Sequence, residues 1–188
     1  MSSFLRLLAF PALALAVAGL SSCENKIEEI RELTNKTTSV ERGIKIESFL
    51  SQAGVMKARL TAPLMNRYQA DSPYIEFPNR LHVDFYNDSV KVESELFAKY
   101  GRYRENERKV FLRDSIVIFN SKGDTIYCKE LWWDQQQEKF YSDKPVIVKQ
   151  PGRTLYGDEG MRASQNFNEW TLLKARGPVQ LPADAGLQ

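Results

Sequence analysis

Cys23 is the residue whose neighbours point to covalent chemistry. It closes the segment Leu20-Ser21-Ser22-Cys23, an aliphatic residue, two small residues and a thiol. That is the order of a bacterial lipobox, in which the chain is cut before the cysteine and the thiol and new amine are acylated. Residues 1–22 carry one charge, Arg6, and the run from Leu7 to Leu20 is Leu, Ala, Val and Phe with one Pro and one Gly. Such a run has the length of a signal-peptide core and falls short of the roughly 20 apolar residues of a bilayer span. The alternatives are a plain secretory signal or a membrane-anchor stub beside an incidental cysteine. In the lipobox reading the mature chain starts at Cys23 outside the cytoplasm. Its buried acyl chains, at about 0.8 kcal/mol per methylene, hold it to a membrane.

The other reactive residue types are few. Cys128 is the second of two cysteines and His82 the only histidine. A buried strand position accounts for Cys128, because a nucleophilic cysteine would need a histidine beside it. No second metal ligand stands at a useful spacing from His82. Trp132-Trp133-Asp134 could stack on a sugar, or put one ring in the core and one at a sheet rim. Asp84 with Asp88, and Asp114 with Asp143, read as surface carboxylates at turns rather than acid–base pairs. Arg102, Arg104, Arg108 and Lys109 could meet phosphate groups, but Glu105 and Glu107 interleave with them, which suits a solvated turn. The sequence has no Gly-rich phosphate loop and no Ser-His-Asp set. An enzyme is therefore not expected, nor a cofactor or a metal.

Lys plus Arg is 26 against 24 Asp plus Glu in 188 residues, a net charge of +2. That balance argues against nucleic acid as a partner and against a polybasic membrane patch. Hydrophobic residues at 43% and charged residues at 27% are ordinary for a folded chain.

The elements that must carry these residues change along the chain. Glu24 to Val40 is polar with Ile27, Ile30 and Leu33 on one edge, which suits a short helix or an unordered spacer. From Gly43 the period becomes two. Ile44 and Ile46 alternate with Lys45 and Glu47, and Gln52-Ala53-Gly54 marks a hairpin turn. Met56, Ala58, Leu60 and Ala62 alternate with Lys57, Arg59 and Thr61, and the pattern returns at Val92, Ser94, Leu96 and Ala98. The strands also repeat. Leu60-Thr61-Ala62, Leu96-Phe97-Ala98, Ile126-Tyr127-Cys128 and Leu155-Tyr156-Gly157 recur about every thirty residues, each followed by an aromatic: Phe77, Phe111, Phe140 and Trp170. Eight residues past the first three aromatics stand Phe85, Phe119 and Val148, with Val83, Val117 and Val146 two residues earlier.

One such unit cannot bury its apolar face alone, and stacked units can. The expected fold is all-β: a twisted open β-jellyroll or trough of stacked two-stranded repeats, after a short helical or flexible tether. The expected inward set is Met56, Leu60, Phe77, Val83, Phe85, Leu96, Phe111, Val117, Phe119, Phe140, Val146 and Val148. Pattern alone does not separate groove-lining residues from closed core. The domains read as a signal peptide (1–22), a lipidated tether (23–42), a β-jellyroll (43–181) and a flexible tail (182–188).

Gly43-Ile44-Lys45-Ile46, Lys57-Ala58-Arg59-Leu60-Thr61-Ala62-Pro63, Tyr74-Ile75-Glu76-Phe77-Pro78, Asp124-Thr125-Ile126 and Leu131-Trp132-Trp133-Asp134 together resemble the LptC family of lipopolysaccharide export, over roughly residues 23–180. The lipobox resembles the lipidated type seen in Bacteroidetes-like bacteria. The familiar form of the family has a membrane-spanning helix instead. The resemblance implies a periplasmic lipoprotein, anchored in the inner membrane, whose groove takes lipopolysaccharide acyl chains from an inner-membrane ABC transporter. It implies delivery to a periplasmic LptA-like bridge protein through sheet-edge pairing. The reading from another class is a surface or periplasmic glycan-binding or scaffold lipoprotein with a closed β-core.

Overall fold

The computed structural model describes residues 39–178. The signal segment, Cys23, most of the tether and the tail lie outside the described residues. Within them the chain forms fourteen strands and no helix, so none long and apolar enough to cross a membrane. In chain order these are β1 (Ser39–Gln52), β2 (Val55–Gln69), β3 (Tyr74–Phe77), β4 (Leu81–Tyr86), β5 (Val92–Ala98), β6 (Tyr100–Arg104) and β7 (Lys109–Asn120), then β8 (Thr125–Asp134), β9 (Lys139–Ser142), β10 (Val146–Gln150), β11 (Arg153–Gly157), β12 (Met161–Ser164), β13 (Trp170–Leu172) and β14 (Ala175–Arg176).

All the pairings are antiparallel, and the long strands change partners halfway. Residues 58–61 of β2 pair with β4, and 66–68 pair with β3. In β7, residues 117–120 pair with β5 and 109–113 with β6. In β8, residues 125–128 pair with β10 and 132–134 with β9. One sheet thus divides into two halves. The first half runs β1-β2-β4-β5-β7-β8-β10-β11-β14, and the second runs β1-β2-β3-β6-β7-β8-β9-β12-β13. The halves face each other: Phe85 of β4 meets Phe140 of β9 edge-on at 5.8 Å, although the two strands are not paired.

Local chemistry makes the crease. Pro63 removes one ladder donor in β2, and Lys45 opposite it has φ 52°. In β7, Asp114 and Ser115 have φ 64° and 51° at a register shift between Arg113 and Ile116, a bulge that bends the strand. Small residues lie beside it. Ala62, Ala98, Cys128 and Gly157, the third members of the four repeated triplets, are all buried. An added Cβ on Gly157 would stand 2.5 Å from the Gly160 carbonyl oxygen, so the close approach there requires glycine. At the far end of β1 the turn is Ala53-Gly54, with φ 49° and 79° as a type I′ hairpin needs.

Two expectations change. β1 starts at Ser39 rather than Gly43, because β2 is long enough to pair Ser39–Arg42 against Asn66–Gln69. Those four residues are strand and not tether. The second change concerns β7. Phe111, Val117 and Phe119 face outward, and Phe119 is 45% exposed. The inward apolar residues are Val110, Leu112, Ile116 and Ile118, the last three nearly or fully buried. The segment is apolar at both parities, and a one-residue slip moves every side chain to the other face. The repeat is intact one residue later: Leu112, Ile118 and Asn120 stand where the first unit has Phe77, Val83 and Phe85.

Candidate functional site

Strand pleat puts alternate residues of each half on the inner face, and between the two inner faces lies a partly open cavity of about 330 Å³. One wall comes from the first half: Ile46, Ser48 and Leu50 of β1, Ala58 and Leu60 of β2, Leu81, Val83 and Phe85 of β4, and Leu96 of β5. The opposite wall is Met65 of β2, Ile75 and Phe77 of β3, Tyr103, Val110, Leu112, Trp133, Gln135 and Phe140. Three of these eighteen side chains are polar, Ser48, Tyr103 and Gln135. The size is at the lower end of ligand pockets, which run to about 300–1,000 Å³. Gly101 of β6 keeps the halves close here, since a Cβ on it would stand 2.7 Å from Leu81 and 3.1 Å from Leu112.

The structure sorts the expected inward set into four groups. Leu60, Phe77, Val83, Phe85, Leu96 and Phe140 line the cavity. Val146 and Val148 are closed core, away from it. Met56 is half-buried beside the β1–β2 turn, outside the lining. Phe111, Val117 and Phe119 are outside altogether. Sequence reasoning missed the β1 and β3 contributions, Ile46, Leu50 and Ile75, and missed Trp133. Alternation in Ile44-Lys45-Ile46 pointed to β1, but Val40 and Ile44, of the same parity as Ile46, are exposed, and the kink at Lys45 separates them from the inward Ile46.

The outer faces carry ladders of aromatic and charged groups. Phe111 stacks on Trp132 at 4.6 Å, and Trp132 on Tyr141 at 6.4 Å. Arg104 lies over Trp132 at 5.3 Å. Three of the four cations of the basic stretch are answered by carboxylates: Arg102 by Glu76 at 3.0 Å, Arg104 by Glu107 at 3.0 Å and Lys109 by Asp134 at 3.4 Å. Three of the four carboxylates considered as acid–base partners are exposed and hold a cation, Asp88 with Lys57, Asp114 with Arg113 and Asp143 with Arg162, while the fourth, Asp84, is a buried residue of β4 and not a surface carboxylate at a turn.

His82 stacks on Phe97 at 4.3 Å, and its Nε2 lies 3.2 Å from both Asp84 and Glu95. The fold thereby brings two carboxylates to His82 that spacing did not reveal. Arg59 Nε stands 3.3 Å from Asp84 and answers its charge. Cys128 is buried at the crease, and burial pushes its thiol up to about 12, so it is a packing residue and not a nucleophile.

The β7–β8, β10–β11 and β12–β13 turns meet at one end of the interior. Asn120 donates from Nδ2 to Asp124 at 3.1 Å and to the Phe167 carbonyl at 3.1 Å. Asp124 accepts from Gln150 at 2.8 Å and from the Trp170 indole at 3.0 Å. Burial raises the Asp124 pKa, but the bonds from Gln150, Trp170 and Asn120 outweigh it and hold the carboxyl below its ordinary value.

A family model described as lipopolysaccharide-assembly, LptC-related, matches residues 11–177. No curated protein matches the chain.

Proposed function

The chain belongs to the LptC family, whose members serve lipopolysaccharide transport in the cell envelope, and on that premise we propose that its cavity is a groove for lipopolysaccharide acyl chains. The observation that carries this reading is the apolar, half-open space between Leu60, Val83 and Leu96 on one wall and Phe77, Val110 and Leu112 on the other. Acyl chains exposed to water cost about 25 cal/mol per Å². A cavity open on one side takes the chains and leaves a sugar headgroup in solvent. The subunit makes and breaks no bond of its cargo.

The partners follow from the edges and the N-terminus. Among the described residues β1 pairs only with β2, and it exposes Val40, Ile44 and Phe49 along its length. β13 and β14 end the two halves at the other side. Unpaired edges of this kind accept a strand from another protein. They suit an inner-membrane ABC transporter that supplies the lipid and an LptA-like periplasmic bridge that receives it. Cys23 is the acylation site that anchors the mature chain to the inner membrane, after removal of residues 1–22. Residues 23–38 are the tether. Replacing Cys23 by Ser abolishes incorporation of labelled palmitate if this holds, and undiminished labelling refutes it.

The test of the groove is photo-crosslinking in living cells. A photoreactive residue at Phe77 or Val83 is expected to yield lipopolysaccharide adducts, and one at Phe119 none. Absence of adducts at the inner positions, in protein that is folded, would overturn the groove and favour the closed-core scaffold reading.

A further inference from the structure

The cavity does not run the length of the interior. It ends at Phe85 and Phe140, and behind them stands Phe167, which is fully buried. The three rings form one cluster: Phe167 lies 4.4 Å from Phe140 and 5.9 Å from Phe85. Beyond the cluster, Val146, Val148 and Met161 are packed core with exposure near zero.

Phe167 belongs to no strand. It sits in the turn between β12 and β13, at φ 55°, a left-handed conformation that a bulky side chain adopts only under constraint. The constraint comes from the opposite half of the sheet. Asn120 donates to the Phe167 carbonyl, Lys122 Nζ to the Asn168 carbonyl at 2.6 Å, and Asn166 Nδ2 to Glu93 at 2.9 Å. Residues 165–169 therefore form a strap from the second half to the tips of the first. One apolar ring points in, and polar side chains hold the rest. Asn120 takes the position that Phe85 occupies in the first repeat, which supplies the amide for the strap where an apolar side chain could not.

We infer that Phe167 is the stop of the groove: it sets how far an acyl chain enters, and the strap must release for a chain to move further toward β13 and β14. The inference rests on the acyl-groove reading above. While the ring is in place, a chain gains contact only as far as Phe85 and Phe140. Each added methylene that still enters strengthens binding roughly fourfold, and methylenes beyond the stop add nothing.

The test measures binding of decanoate, laurate, palmitate and stearate to the full chain and to Phe167→Ala. In the unaltered protein, affinity is expected to rise with chain length and then level off. In Phe167→Ala the levelling is expected at a longer acid. Phe167→Leu, which keeps an apolar side chain and guards against misfolding of the alanine variant, shifts it in the same direction by less. If the unaltered protein levels off and both variants level off at the same acid, Phe167 is not the stop, and the groove reading stands. If the unaltered protein binds none of the acids, the groove reading falls and the stop with it.

Discussion

Trp132 and Trp133 are consecutive residues of β8 that face opposite sides of one sheet. Trp132 stacks outward on Phe111 at 4.6 Å, while Trp133 packs inward against Phe140 at 6.2 Å and lines the cavity. The pleat alone divides them. The pair offers a reporter of the interior and an adjacent reporter of the exterior.

Fluorescence should read this division. Laurate or palmitate is expected to change the emission of the unaltered protein and of Trp132→Phe in a saturable way, and to leave Trp133→Phe silent. Equal responses from the two single variants would place the acid outside the cavity.

Stability should follow the corrected face of β7. Ile118 is fully buried, and Ile118→Ala is expected to cost about 2–5 kcal/mol. Phe119 is nearly half exposed and meets Phe97 edge-on at 6.1 Å. Phe119→Ala is expected to cost less than Ile118→Ala, because nearly half of the ring already meets water. Urea unfolding of the two variants checks the order, and a larger loss at Phe119 would contradict the register of β7.

Acid should weaken the closure at Asp124. Its pKa is depressed in the folded chain, below the roughly 3.9 of an unfolded aspartate. The stability it contributes is thus fully present above that value and is lost as pH falls through the folded pKa. Asp124→Asn cannot accept at both oxygens, so it is expected to be less stable near neutral pH by about 1.5–3 kcal/mol. The gap should narrow below about pH 4. A gap that stays constant on acidification would mean the carboxylate charge is not what holds Gln150 and Trp170.

Cys128 should be silent in the folded protein. With its thiol pushed up to about 12, iodoacetamide at mildly alkaline pH is expected to leave it unmodified until denaturant is added. Rapid native alkylation would show that the crease opens.

The all-β class, the repeat and many of the first unit's cavity residues were legible from hydrophobic alternation. Around Leu60, Phe77, Val83, Phe85 and Leu96 one parity carries most of the apolar side chains, with Phe97 the exception beside Leu96, so alternation favours one way to bury them. The small third members of the triplets, Ala62, Ala98, Cys128 and Gly157, were visible as a pattern, though their place at the crease was not. Long-range pairing selected the remainder. In Val110-Phe111-Leu112 and Ile116-Val117-Ile118-Phe119 both parities are apolar, so local pattern is degenerate, and the bulge at Asp114–Ser115 together with pairing to β5, β6 and β8 selects the inner set. Phe167 lies in a turn, where periodicity carries no information, and its ring is turned inward by the bonds that Asn120 and Lys122 donate to the turn and the one that Asn166 donates to Glu93. The meeting of His82 with Asp84 and Glu95 is likewise a product of cross-strand register. Hydrophobic period reports which residues can share a face, while long-range pairing chooses which face is buried and where the space between faces ends.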